Sequence, residues 1–167
     1  MEAFIIALFL KRFKKNNLNL KFESLLNEYA ESHTNPINNF IHWICIPLIF
    51  WSISGILFLI SLPVLGKLAN VTILITSVYY FNLSKTLWVG MLLLGMACLA
   101  IDFYVHFHRY DHAIEIFFLT FLLVWVGQFI GHKIEGKKPC FLNDLQFLLI
   151  GPSWLMAKLY KKMELPY

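Results

Sequence analysis

Four long apolar runs dominate the middle of the chain, each too continuous to be the buried stripe of a one-sided helix. They cover about Trp43 to Ile60, Leu68 to Leu83, Thr86 to Ile101 and Ile114 to Gly131. A helix that is apolar all round belongs in a large core or in lipid, and crossing a bilayer takes roughly 17–25 apolar residues. The first and last runs meet that length, and the middle two sit near its lower limit. The linkers Ser61 to Lys67 and Asn82 to Lys85 are short enough for antiparallel helix hairpins. Ahead of these runs, Lys21 to Ser32 has another rhythm. Phe22, Leu25, Leu26 and Tyr29 recur at helical spacing with Glu23, Glu28 and Glu31 between them, the mark of an amphipathic helix. Asn35-Pro36 should end it, because proline disfavours helical geometry in the residue before it, and Asn38 or Asn39 can cap the next helix. After Cys140, apolar positions from Leu142 to Leu159 are interrupted by Gly151-Pro152 and read as two interfacial helices.

The pattern predicts an all-α polytopic membrane protein with about four transmembrane helices and amphipathic interfacial helices at both ends. A single domain over residues 1–167 is expected. It comprises an N-terminal interfacial segment at 1–42, a four-span bundle at 43–131 and a cytoplasmic interfacial tail at 132–167.

Composition strengthens the membrane reading. Apolar residues make up 59% of the chain and charged residues 14%, against about 25% charge in a soluble domain. The net charge of +4 comes from clusters beside apolar runs: Lys11, Arg12, Lys14 and Lys15; Lys133, Lys137 and Lys138; Lys158, Lys161 and Lys162. Basic residues sit this way at lipid headgroups. With four crossings, every Lys and Arg except Lys67 and Arg109 falls on one side, which puts both termini in the cytoplasm. The partner implied is the lipid bilayer. No glycine-rich loop or aromatic-basic strand pattern points to nucleic acid. Ala3 to Leu10 is too short to cross and is followed, not preceded, by positive charge, so an interfacial segment is expected there instead of a signal peptide. Cys45, Cys98 and Cys140 have no pairing or metal-ligand spacing and read as small apolar residues.

Six histidines in so apolar a chain carry the chemical information, since ionisable groups near bilayer depth are costly. His33 and His42 bracket the Asn35-Pro36 break, and His132 ends the fourth run. Under four-span topology all three occupy one headgroup zone. Neutral imidazole suits iron or zinc, and three protein ligands leave positions open for substrate and oxygen. Gln128, His132 and Glu135 share one face if the helix continues that far. Gln128 could orient a ligand. Glu135 could be a carboxylate ligand, support one, or only balance Lys133, Lys137 and Lys138. A second group, His106, His108 and His112 with Asp102, Arg109 and Asp111, is explained by a solvated, mutually paired loop. A continuous helix between His108 and His132 is roughly 36 Å long at ~1.5 Å per residue. The two can share an ion only if that helix breaks or dips inward.

Two motifs resemble those of the 2-hydroxy fatty acid dioxygenase family. His33-Thr34-Asn35-Pro36-Ile37-Asn38-Asn39-Phe40-Ile41-His42, followed by Pro47, is similar to its H-x-N-P-x-N-x-x-I-H segment. Trp125 to His132, with Glu135 and Pro139 after it, is similar to W-x-x-Q-F-x-G-H followed by an acid and a proline. His108-Arg109 resembles a pair that fungal members carry ahead of the second motif, while Asn143-Asp144 stands where the fungal pattern has Asp-Asn. The resemblance implies an Fe(2+)-dependent enzyme in the endoplasmic reticulum membrane or a bacterial inner membrane. Such an enzyme uses O2 to shorten a long-chain 2-hydroxy fatty acid by one carbon. The expected metal ligands are His33, His42, His132 and, as a fourth candidate, His108. Gln128 and Glu135 are the expected catalytic residues, and Asn35, Asn39, Lys137 and Lys138 are expected at the substrate.

Other classes fit less well. A di-iron desaturase needs about eight histidine ligands in boxes such as H-x-x-H-H, and only His108–His112 approaches that spacing. A transporter would carry ionisable groups at mid-span, yet the centres of the first three runs, near Ser54, Ile75 and Leu93, have none. A non-enzymatic lipid-binding or scaffold protein remains the alternative.

Overall fold

The computed structural model describes residues 20–142 and 146–166. The expectations for Ala3 to Leu10, for the Lys11 to Lys15 cluster and for Asn143-Asp144 lie outside the described residues. Residues 20–31 form helix α1, which buries Phe22, Leu26 and Tyr29 and leaves Glu23, Glu28 and Glu31 exposed. The next helix, α2, runs Pro36–Leu59. Its cap is Asn35, not Asn38 or Asn39. The Asn35 side chain accepts from the backbone N–H groups of Ile37 (2.9 Å) and Asn38 (3.4 Å). Pro36 occupies the first helical position, where its missing N–H has no partner to lose.

A two-residue hairpin, β1 (Ser61–Leu62) against β2 (Gly66–Lys67), turns the chain into α3 (Leu68–Leu83). Ser84 alone separates α3 from α4 (Lys85–His108), and its side chain accepts from the Leu87 N–H at the start of α4. A short 3-10 turn, Tyr110–His112, leads into α5 (Ala113–Glu135). Gly136 ends α5 with φ 73°, the left-handed cap that glycine adopts without strain. A second 3-10 turn, Cys140–Leu142, precedes α6 (Phe147–Lys162).

Helices α2 to α5 run up and down. Cys45 meets Gly127 and Gly55 meets Phe117, which sets α2 antiparallel to α5. Gly55 has no Cβ, so the fully buried Phe117 ring can lie on the α2 backbone. Ser54 Oγ donates to Asp102 (2.6 Å) between α2 and α4, and Trp88 Nε1 donates to Ser77 Oγ (2.6 Å) between α4 and α3. Asp102 is therefore a buried tie between helices and not part of a solvated loop. His106, one turn further along α4, packs on Phe58.

Helices α1 and α6 close one end of this bundle, around a core that includes Phe22, Leu26, Tyr29, Ile150, Trp154 and Leu155. Burying such side chains contributes about 1.5–3 kcal/mol each. The Tyr80 hydroxyl donates to the Leu149 carbonyl (2.7 Å), and the Tyr160 hydroxyl donates to that of Thr86 (3.2 Å), which ties α6 to α3 and α4. The expected pair of interfacial helices is thus one helix, continuous through Gly151-Pro152 and buried from Ile150 to Leu155. Proline costs a helix one internal bond, and packing of Tyr29 against Gly151 on the same turn offsets it.

Three segments are long and apolar enough to cross a membrane: Pro36–Leu59, Lys85–His108 and Tyr110–Glu135. Helix α3 has 16 residues and spans about 24 Å, short of a ~30 Å hydrocarbon layer. Leu74, Ile75, Leu93, Phe118 and Leu123 present apolar side chains outward, a surface compatible with lipid and costly in water.

Candidate metal centre

Three elements converge at the end closed by α1 and α6. His33 lies just beyond α1, His42 on the second turn of α2, and His132 on the last turn of α5. All three are buried, with one nitrogen from each lying within 4.8 Å of the others. Their ring centroids are 4.3 Å (His33–His42), 4.9 Å (His42–His132) and 5.0 Å (His33–His132) apart.

The hydrogen bonds say which nitrogens are free. His33 Nδ1 points at the Tyr29 carbonyl, and His42 Nδ1 at the Asn38 carbonyl (2.9 Å). A carbonyl only accepts, so both Nδ1 atoms carry the hydrogen and both Nε2 atoms of the neutral rings present lone pairs. Those Nε2 atoms face each other at 3.0 Å. Two lone pairs at that distance repel unless a proton or a cation lies between them. Two nitrogens each ~2.1 Å from one ion and at right angles are about 3.0 Å apart. His132 Nδ1 is buried with no partner among the described residues, which is costly unless something absent from the protein satisfies it. The donor set therefore fits a divalent transition metal. Burial holds His33 neutral by lowering its pKa from 6.5 to about 3, against the opposing pull of its bond to the Tyr29 carbonyl.

The surrounding residues orient this triad. The Tyr29 ring stacks on His33 at 4.1 Å and 14°, and Trp154 of α6 lies 5.2 Å from both. Both covering residues escaped the sequence analysis. The Phe22–Leu26–Tyr29 spacing was the available signal for Tyr29, and nothing local marks Trp154. Gly131, beside His132, makes room for Asn38, whose Oδ1 would collide with any Cβ there. That lets α5 approach α2 where their histidines meet.

The other predicted residues fall as follows. Gln128 is buried one turn before His132 and lines the cavity beside the triad. Glu135 lies outside the triad. Its carboxylate accepts from the Thr34 N–H (2.9 Å) and hydroxyl (2.6 Å), the Asn35 N–H (2.9 Å) and the Asn38 amide (2.9 Å). It thereby fastens the loop that carries His33 to the helix that carries His132. Asn35 is occupied as the α2 cap, and Asn39 Oδ1 accepts from Lys158 Nζ (3.0 Å). Lys137 Nζ donates to the Glu31 carbonyl, and Lys138 is exposed. His108 is not brought to the triad. It sits at the opposite end of α4, exposed, with Nδ1 on the Tyr104 carbonyl at 3.0 Å. Helix α5 runs unbroken from Ala113 to Glu135, so nothing folds His108 back towards His132.

Beside the triad lies a cavity of about 280 Å³. His132, Gln128 and Tyr29 line it next to the triad, and its other walls are mostly apolar side chains of α2, α5 and α6, with Thr72 and Thr76 of α3.

Comparison with known proteins agrees with this chemistry. A family model described as "2-hydroxy-palmitic acid dioxygenase Mpo1-like" matches residues 20–163. The chain is 30% identical over 148 residues to a Saccharomyces cerevisiae protein named "2-hydroxy-palmitic acid dioxygenase MPO1", covering 86% of this chain and 82% of the relative. No solved structure matches.

Proposed function

Since the chain belongs to the 2-hydroxy-palmitic acid dioxygenase Mpo1-like family, we propose that it is an iron(II)-dependent membrane dioxygenase. In this reading it converts 2-hydroxy fatty acids, with O2, to acids one carbon shorter. One observation carries the metal part of the reading: the inward-facing lone pairs of His33 and His42 beside the unpartnered Nδ1 of buried His132. Iron(II) bound to the three imidazoles would supply open positions for the hydroxyl and carboxylate oxygens of the substrate and for O2.

The chain's own groups do the rest. The Tyr29 and Asn38 carbonyls fix the tautomers of His33 and His42, so each ligand is presented without rearrangement. Glu135 holds the His33 loop on α5. Tyr29 and Trp154 pack on the His33 imidazole and keep water from that side. Gln128, the uncharged amide in the cavity wall beside His132, is positioned to hydrogen-bond a substrate oxygen. Lys138 and Lys133, exposed beside the site, favour approach of a carboxylate. We take α3 as a fourth, shorter crossing. This sets the triad, α6 and most of the described lysines at one membrane face, read as cytoplasmic.

The test has two arms. Purified protein should bind about one iron per chain, and His33→Ala and His132→Ala should lose it. Incubation with 2-hydroxypalmitate, Fe(II) and O2 should yield pentadecanoate. Iron binding without a shortened acid would remove the dioxygenase reading and leave a metal-dependent lipid-binding protein.

A further inference from the structure

We propose that the cavity beside the triad receives the acyl tail of the substrate and leads it sideways between α2 and α3 into the lipid. The protein would then read only the part of the tail nearest the head. This inference rests on the function proposed above for its ligand class, but its argument comes from the shape and lining of the cavity.

The cavity is continuous with the metal centre, because His132 and Gln128 form part of its wall. From there Ile46, Ile49, Phe50 and Ile53 line it along one face of α2, with Thr72 and Thr76 opposite on α3. The threonines contribute little polarity. Thr72 Oγ1 donates to the Leu68 carbonyl and Thr76 Oγ1 to the Thr72 carbonyl, both at 3.0 Å. Their hydroxyls are thus spent within α3. A space with this lining offers water few partners and suits hydrocarbon.

The buried residues of α3 are Ala69 and Tyr80, near its two ends. Between them Thr72 and Thr76 line the space, while Ile73 packs on Gly95 of α4.

The geometry also sets a ruler. Eleven residues separate His42 from Ile53 on α2, about 16 Å at ~1.5 Å per residue. An extended hydrocarbon advances about 1.25 Å per carbon with ~1.5 Å bonds at ~111°, so the groove matches roughly a dozen carbons. Ile53 is 37% exposed, so a longer tail emerges there among outward-facing apolar side chains. Below the matched length, each lost methylene leaves part of the groove unfilled and forfeits its packing contacts there, so productive binding should weaken as the tail shortens. Above it, extra carbons should add little, because their new surroundings resemble the lipid they left.

The deciding experiment uses full-length protein in lipid nanodiscs and a 2-hydroxy fatty acid carrying a diazirine at mid-tail. After photolysis, labels mapped by mass spectrometry should fall on Ile49, Phe50, Ile53, Thr72 and Thr76, and excess 2-hydroxypalmitate should suppress them. Labels confined to outward residues such as Phe118 and Leu123, unaffected by competitor, would overturn the proposal. A second arm measures kcat/KM for 2-hydroxy acids of graded length. A rise to a plateau is expected, with Thr76→Trp lowering the long acids at least about fivefold from overpacking while iron content stays at the wild-type level. A rise with no plateau, or Thr76→Trp affecting all lengths equally, would also overturn it. Competed labelling in the groove by a protein that shortens no acid would refute the enzymatic reading and leave the tail site standing.

Discussion

Replacing Glu135 by glutamine separates a positioning carboxylate from a metal ligand. In the structure both carboxylate oxygens accept from the His33 loop and the first turn of α2: the Thr34 N–H and hydroxyl, the Asn35 N–H and the Asn38 amide. Glutamine keeps the shape, but its NH2 must face either Thr34 or the Asn35 and Asn38 donors. At least one donor then meets a donor, and the negative charge is lost. Hydrogen bonds to a charged group contribute about 1.5–3 kcal/mol each when shielded. This cluster is partly solvated, so a net loss of ~2 kcal/mol is a fair magnitude. If that loss falls on the arrangement of His33 relative to His132, metal affinity drops about 30-fold. The assay is titration of the apo-protein with Co(II), following its visible absorption. Glu135→Gln should shift the midpoint by roughly that factor, still saturate at one ion per chain, and keep the wild-type spectrum. An unchanged midpoint would refute the clamp, and a changed spectrum at saturation would show that Glu135 is itself a ligand.

Three further variants test the architecture. Gly131→Ala sets a Cβ against Asn38 Oδ1 and should force α5 from α2, costing about 1–3 kcal/mol of stability. Thermal unfolding of the purified protein measures this, and metal content should fall in parallel. At the opposite end, His108→Ala should leave metal binding at the wild-type level. Asp102→Ala strands the Ser54 hydroxyl and should lower stability by about 1–3 kcal/mol, again with wild-type metal content. Loss of metal in either variant would contradict the separation of the two ends.

Much was legible along the chain because it is written in local order. Apolar runs of span length predicted α2 to α5, and the break at Asn35-Pro36 predicted a helix start within a few residues. Its cap was misassigned because proline both ends one helix and can begin the next, and only backbone geometry distinguishes the two. Gln128, His132 and Glu135 were predicted to share a face, which holds because α5 continues to Glu135. Their periodicity could not say that Glu135 turns to Thr34, about a hundred residues earlier, since that depends on where another element lies.

What the sequence by itself determined is therefore the set of helices, their apolar character and the two motifs that hold His33, His42 and His132. These follow from composition, spacing and turn residues, which act over a few neighbours. The tertiary structure alone decided that α6 packs into the end of the bundle, that Trp154 and Tyr29 pack on the His33 imidazole, and that His33, His42 and His132 meet while His108 does not. It also decided that residues of α2, α3, α5 and α6 enclose a cavity beside the triad. Those outcomes depend on how helices distant in sequence fit against one another, and such fitting is a property of assembled surfaces that no single stretch of chain encodes.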